Sequence, residues 1–285
     1  MVIIKLKGGL GNQMFQYAAA RQLSVLHNVE LKLDLSFLEK DNTDYTKRYF
    51  ELDNFKINSS IASVEEVARL NKKSLKNIIS GKYVKELKLG PFSIKPHTKK
   101  DCYISGFWQS TTYFRNIEKL LKNEFEFKEP VYDSFFSDIK SKILDTNSVS
   151  LHFRRGDYVT NKRANFSHGV CSIEYYQKAV NYIAKRINNP TLFIFSDDIH
   201  WVKCNFKTTL PAIFVEQKNE SLHTDFQLMS ICKHNIIANS SYSWWAAWLN
   251  SNSNKIVVAP RIWFRNKWKQ IFIAKDFIPK QWIKL

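Results

Sequence analysis

Two arginines, a glycine and an aspartate stand side by side at Arg154-Arg155-Gly156-Asp157. They follow a short apolar, β-prone run, Val149–Phe153. Guanidinium is always charged, and its planar fork matches phosphate oxygens in pairs. Gly156 lets the backbone turn sharply. Asp157 sets a carboxylate beside two cations, which favours its ionised form. If the run is a buried parallel strand, all four residues lie just past its carboxyl end, where open α/β sheets bind ligands. Taken alone, the same residues also read as a surface turn closed by a salt bridge.

Two further polar clusters follow strand-like runs. Ser196, Asp197 and Asp198 follow Thr191–Phe195, and Asn239, Ser240, Ser241 and Ser243 follow Asn235–Ala238 and open a helix. Each cluster has a plain reading as helix caps. On a shared sheet edge they make an anionic-ligand site: hydroxyls and free N–H groups at a helix N-terminus suit a phosphate, and arginines opposite hold it.

The elements that must carry these clusters alternate. From residue 148 onward the strand-like runs are Val149–Phe153, Thr191–Phe195, Ala212–Val215, Asn235–Ala238 and Lys255–Ala259, separated by helix-like runs near 172–187, 198–204, 221–233 and 241–250. Such alternation predicts a parallel sheet with helices on both faces. The amino-terminal part opens similarly. A strand at Val2–Leu6 meets the glycine-rich turn 7–13, a helix to about His27 and a strand at Val29–Leu35. The turn is neither G-x-G-x-x-G nor a P-loop. Residues 40–100 are less regular; Ser63-Val64-Glu65-Glu66 has capping-box form, and the lysine-rich 72–100 stretch reads as a solvated face. Cys102–Trp108 reads as a strand and Thr112–Glu124 as a helix. The expectation is an α/β chain in two domains, 1–147 and 148–285.

Composition sets the partners. Forty-three basic and 26 acidic residues give a formal charge of +17 over 285 residues, which favours anionic ligands: nucleotides, nucleic acid or an anionic membrane surface. Four scattered cysteines without a C-x-x-C pair point away from a zinc site and a disulfide framework. No signal-peptide pattern and no apolar run of membrane-spanning length is present, so a cytoplasmic chain, peripheral on the membrane's inner face at most, is expected.

Four motifs, in order, resemble the bacterial α-1,2-fucosyltransferases of glycosyltransferase family 11: residues 8–17 (GGLGNQMFQY), 152–158 (HFRRGDY), 225–229 (DFQLM) and 239–245 (NSSYSWW). The resemblance runs from residue 2 to about 260. It implies a GT-B-type fold, two Rossmann-like domains facing a cleft, with the amino-terminal one on the acceptor side. It implies GDP-β-L-fucose as donor, a galactose-containing glycan as acceptor, inversion at the fucose carbon, and no metal or other cofactor. The chain contains no D-x-D pair of the kind that holds a metal–diphosphate in many sugar transferases, and two arginines can supply that positive charge. Carried over residue by residue, Arg154 is the main diphosphate ligand with Arg155 nearby. His152 and Asp225 line the nucleotide pocket, with Ser196 and Asp197 along the same edge. Asn239, Ser240 and Ser241 form a second phosphate cradle, and Asn12 and Gln13 reach the diphosphate or sugar from the other domain.

The base is open at this level. Asp157 stands first and His168, in the loop 161–170, second; Asp157 equally reads as a residue that orients Arg154. Trp244, Trp245 and Trp248 share one short helix; indoles can stack on sugars, but the i,i+4 spacing of Trp244 and Trp248 favours the core. Trp263, Trp268 and Trp282, interleaved with cations, read as membrane-facing or interface residues. Two other functions compete: a different nucleotide-sugar transferase on the same fold, and a basic nucleic-acid-binding protein. The second lacks any concentrated recognition motif.

Overall fold

The computed structural model describes residues 1–40, 46–86, 98–129, 133–217, 222–272 and 274–285. Contacts divide the chain into two units, Met1–Glu129 with Phe272–Phe277, and Pro130–Ile271 with Ile278–Leu285. The division falls earlier than the expected 147/148 boundary. The reason is the helix Ser134–Leu144, which buries Phe136, Ile139 and Ile143 and packs against the first strand of the second unit and the helix Leu222–Ile231.

The first unit holds strands β1 (Val2–Lys5), β2 (Leu31–Asp34), β3 (Ser60–Ile61), β4 (Tyr83–Lys85) and β5 (Cys102–Ser105). They form one sheet in the order β3-β2-β1-β5-β4, every pairing parallel. The central β1 is apolar because helices cover both faces of such a sheet; Val2, Ile3 and Ile4 are fully buried. The helix Leu10–His27 follows the glycine turn. Asn28, left-handed at φ 52°, caps its carboxyl end. Ser63 and Glu66 close the expected capping box. Two strands of this sheet, β3 and β4, fall in the stretch read as irregular or solvated; of that stretch, 41–45 and 87–97 lie outside the described residues.

The second unit holds β6 (Asn147–Phe153), β7 (Pro190–Ser196), β8 (Ala212–Phe214), β9 (His234–Ile236), β10 (Val257–Ala259) and β11 (Ile283–Lys284). The order is β11-β10-β9-β6-β7-β8, again all parallel. The chain builds outward from β6 to β8 and then crosses to β9 on the other side of β6. That is the Rossmann order, and its switch point lies between the carboxyl ends of β6 and β9. Together the two units are the Rossmann-like pair expected of the GT-B type. Trp244, Trp245, Trp248 and Trp282 are buried and in mutual ring contact, so the tryptophan helix Ser241–Leu249 serves the core. Trp263 is buried as well, whereas Trp268 is 44 % exposed. Among the described residues no helix is long and apolar enough to cross a membrane.

Candidate active site

Register places the three polar clusters together. Phe153 of β6 pairs with Ser196 of β7, and Leu151 of β6 with Ile236 of β9. Arg154, Asp197 and Asn239 therefore leave the sheet along one edge, beside the switch point.

Arg154 is bracketed there. Its Nη2 meets Asp157 Oδ1 at 2.5 Å and its Nη1 meets Asp197 Oδ2 at 2.7 Å. Burial alone would lower its pKa, but Asp197 and Asp157 outweigh burial and hold it above the ordinary value. Arg155 is fixed by the same β7 turn. Its N–H donates to Asp197 Oδ1 and its Nε to Asp198 Oδ2, and its guanidinium lies 3.4 Å from the Trp201 ring centroid. Asp198 also caps the helix Ile199–Asn205, and Ser196 Oγ accepts from its N–H. Three carboxylates thus face two guanidiniums. The arginines expected to lend net positive charge are compensated by acids that hold them in place. A guanidinium has five N–H donors, so two carboxylate contacts do not exhaust Arg154.

Gly156 is required by this bracket. A Cβ there would stand 2.5 Å from Asp197 Oδ2, an oxygen already held by Arg154. Gly156→Ala is therefore expected to cost about 1–3 kcal/mol of stability through overpacking. In an Asp197→Ser background the same change should cost little, and urea unfolding of the four members of the cycle measures the difference. Equal costs in both backgrounds would show that the contact with Asp197 is not the reason for glycine.

Two imidazoles flank Arg154. His152, on β6, is buried, and its pKa is lowered to about 3 by burial and then by Arg154. His168 is lowered to about 4 by burial and then by Lys269, with Asp157 opposing. Its ring stacks on Tyr158 at 4.8 Å and 11°. Both Nδ1 atoms are buried without a hydrogen-bond partner among the described residues, and a buried polar atom in that state is met by water or a ligand. Most of the expected loop 161–170 is instead the short helix Lys162–Ser167, which His168 terminates; another short helix, Gly156–Thr160, precedes it.

The remaining expected ligands divide. Asp225 lies on the helix Leu222–Ile231 and accepts from Gln217 Nε2; its neighbour Phe226 reaches the β6 end through Tyr242 and His152. Ser240 is the cap of Ser241–Leu249, its Oγ accepting from Tyr242 N–H, and Ser241 is half-buried in that first turn. Asn239 is a structural tie: its amide donates to the carbonyls of His168, Gly169 and Trp263, and its oxygen accepts from Cys171. In the first unit, Asn12 accepts from Gln109 Nε2 at 2.7 Å. Gln13 is fully buried. It donates to the carbonyls of Gly8 and Tyr49 and accepts from Glu51 N–H, so it clamps the glycine turn to residues 49–51.

With this geometry in place, the comparisons decide the family. The model of glycosyl transferase family 11 matches residues 1–285. The chain belongs to glycosyl transferase family 11. It is 36 % identical to the alpha-1,2-colitosyltransferase of Escherichia coli, covering 100 % of this chain and 99 % of that one. It is 38 % identical to the O-antigen biosynthesis glycosyltransferase WbnK of E. coli, covering 91 % and 93 %. The galactoside alpha-(1,2)-fucosyltransferase 1 of Leontocebus fuscicollis is 24 % identical over 51 % of this chain and 42 % of its own. Among solved structures, the fucosyltransferase NodZ from Bradyrhizobium aligns over 86 % of this chain and 91 % of its own, at 13 % identity and TM-score 0.46.

One perturbed group of this family 11 chain was hidden in its lysine-rich stretch. Glu86, just past β4, accepts from Phe107 N–H at 2.6 Å and Trp108 N–H at 2.9 Å. Burial pushes its carboxyl above the ordinary range, against those two bonds and Lys7. Trp108 stands in the left-handed region at φ 55°, held there through this latch. Nothing in the local sequence distinguishes Glu86 from its charged neighbours.

The two histidines make stability depend on pH. Their folded pKa values lie below the unfolded value near 6.5, so between about 4 and 6.5 the unfolded chain binds protons that the folded chain does not. Stability is therefore expected to fall as pH drops below about 6.5. His168→Phe keeps the stack on Tyr158 and removes one titrating group, so its melting temperature should fall less steeply from pH 6.5 to 5. An unchanged slope would remove His168 from this account.

Proposed function

We propose that this transferase moves L-fucose from GDP-β-L-fucose, with inversion, to the 2-hydroxyl of a galactose-like residue, giving an α-1,2 linkage in a surface glycan such as O-antigen. The observation that carries the reading is Arg154 itself: a guanidinium held between Asp157 and Asp197 at a Rossmann switch point. A fixed guanidinium there suits a diphosphate leaving group, whose charge grows in the transition state. The linkage and the glycan context follow the relatives named as alpha-1,2-colitosyltransferase and as an O-antigen biosynthesis glycosyltransferase. The donor follows the galactoside alpha-(1,2)-fucosyltransferases, which share about half of the chain. Colitosyl transfer is the second reading, favoured by the relative at 36 % identity.

In this reading no metal is needed, because Arg154 keeps N–H donors for the diphosphate beyond those its two carboxylates take. The experiment is calorimetry with GDP, UDP, ADP and CDP, followed by transfer from fucosyl and colitosyl nucleotides to a galactoside, each with and without EDTA. GDP preference, fucosyl transfer and rates unaffected by EDTA are expected. Preferential UDP binding overturns the donor assignment, faster colitosyl transfer selects the second reading, and activity restored only by added Mg²⁺ or Mn²⁺ overturns metal independence.

A further inference from the structure

Two stretches of the second unit, residues 158–173 and 255–271, contain no aspartate or glutamate. Hydrogen bonds join them. Arg265 N–H donates to His168 O, Asn266 N–H to Ser167 O, and Arg265 Nη1 to Asn165 Oδ1. Gln270 in turn ties down the turn at 261–264, accepting from the N–H groups of Trp263 and Phe264 and donating to Arg261 O. The seam encloses an open pocket of about 530 Å³ whose cations are Lys162, Arg265 and Lys267, with Val159 and Phe166 as its apolar wall. The same two stretches leave large apolar side chains exposed: Phe166 is 70 % exposed, Ile262 66 %, Ile271 64 % and Trp268 44 %.

Exposed apolar side chains interleaved with cations, in two stretches that hold no acidic residue, have one well-matched partner. An anionic bilayer offers phosphates to the cations and an acyl boundary to the apolar tips, and tryptophan favours that interface. A polynucleotide would satisfy the cations and could stack on Phe166 and Trp268, but it offers nothing to Ile262 and Ile271. We propose that this face docks on an anionic lipid bilayer, with a phosphate headgroup against Lys162, Arg265 and Lys267, and with Phe166, Ile262, Trp268 and Ile271 entering the interfacial layer. Val159 lines the pocket while Asp157, on the same short helix, pairs with Arg154. Docking would therefore hold the arginine bracket close to the lipid surface. The inference does not depend on which sugar is transferred.

Vesicle co-sedimentation tests it, with phosphatidylcholine alone and with added phosphatidylglycerol. The full chain should bind only the anionic vesicles, less tightly as salt rises. Lys162→Gln with Lys267→Gln should weaken binding about 30-fold, at about fivefold per cation near the surface. Phe166→Ser should weaken it about tenfold by removing apolar insertion. All variants should keep the wild-type melting temperature, since these side chains are exposed. Equal binding to both vesicle types, no binding to either, or full binding by the double lysine variant overturns the proposal. So does wild-type affinity in Phe166→Ser, which would mark a plain polyanion surface.

Discussion

Arg154→Lys is expected to lower the transfer rate about 10²–10³-fold, equivalent to about 2–4 kcal/mol of transition-state stabilisation. The charge is conserved, so the loss must come from geometry. The arginine spans two acids, Nη1 on Asp197 and Nη2 on Asp157, and presents its remaining N–H groups from that fixed plane. An ammonium is a point charge on a flexible stem and cannot take the same planar fork. It would settle on one acid and leave the other, half-buried, without its cation. A lysine so placed gives a diphosphate no pre-oriented pair of donors, and the deficit grows as the leaving group gains charge. Single-turnover rates and GDP affinity separate the two effects: the rate should fall further than the affinity. A lysine variant turning over near the wild-type rate would remove Arg154 from the chemistry.

The same bracket shows where the sequence is legible and where it is not. Strands buried on both faces read as apolar runs, so β6 and β7 are recoverable from residues alone, and the polar residues just beyond them mark the functional edge. The capping box at Ser63 is a local rule and holds locally. What stays hidden is pairing across distance. Asp197 and Asp198 are recognisable as a cluster, but their role as partners of Arg154 and Arg155 depends on β6 and β7 lying in register. Gln13 and Asn239 look like ligand groups because a polar residue in a motif carries no sign of whether it faces a ligand or the protein's own backbone. The structure spends both on the backbone. Edge strands such as β3, with both residues exposed, are too short and too polar to show a pattern. The helices between 156 and 167 lack the length for one.

Asp157→Asn is expected to lower kcat by about 10²–10⁴-fold while GDP affinity changes only a few-fold, the signature of a lost general base. In the proposed inversion the acceptor hydroxyl attacks the sugar carbon opposite the leaving diphosphate, and a weak nucleophile needs its proton removed. Of the groups beside Arg154, Asp157 and His168 are the two expected to take that proton. His168 is already neutral at pH 7, but its ring is enclosed between Tyr158 and Phe264 and its Nδ1 is buried, so a hydroxyl has little access to it. His168→Ala should therefore cost stability more than kcat. Asp157 is the stronger choice by access: its side chain is 18 % exposed, and it stands beside Arg154 at the open edge of the sheet. Asparagine keeps an oxygen for Arg154 Nη2, and Asp197 still holds Nη1, so the bracket should survive the substitution while the carboxylate's basicity does not. That difference makes the test decisive. If GDP affinity falls in proportion to the rate, Asp157 orients Arg154 and is not the base. If neither variant loses kcat, the proton leaves by another route, and the departing diphosphate, as the remaining oxyanion beside the reacting carbon, becomes its acceptor.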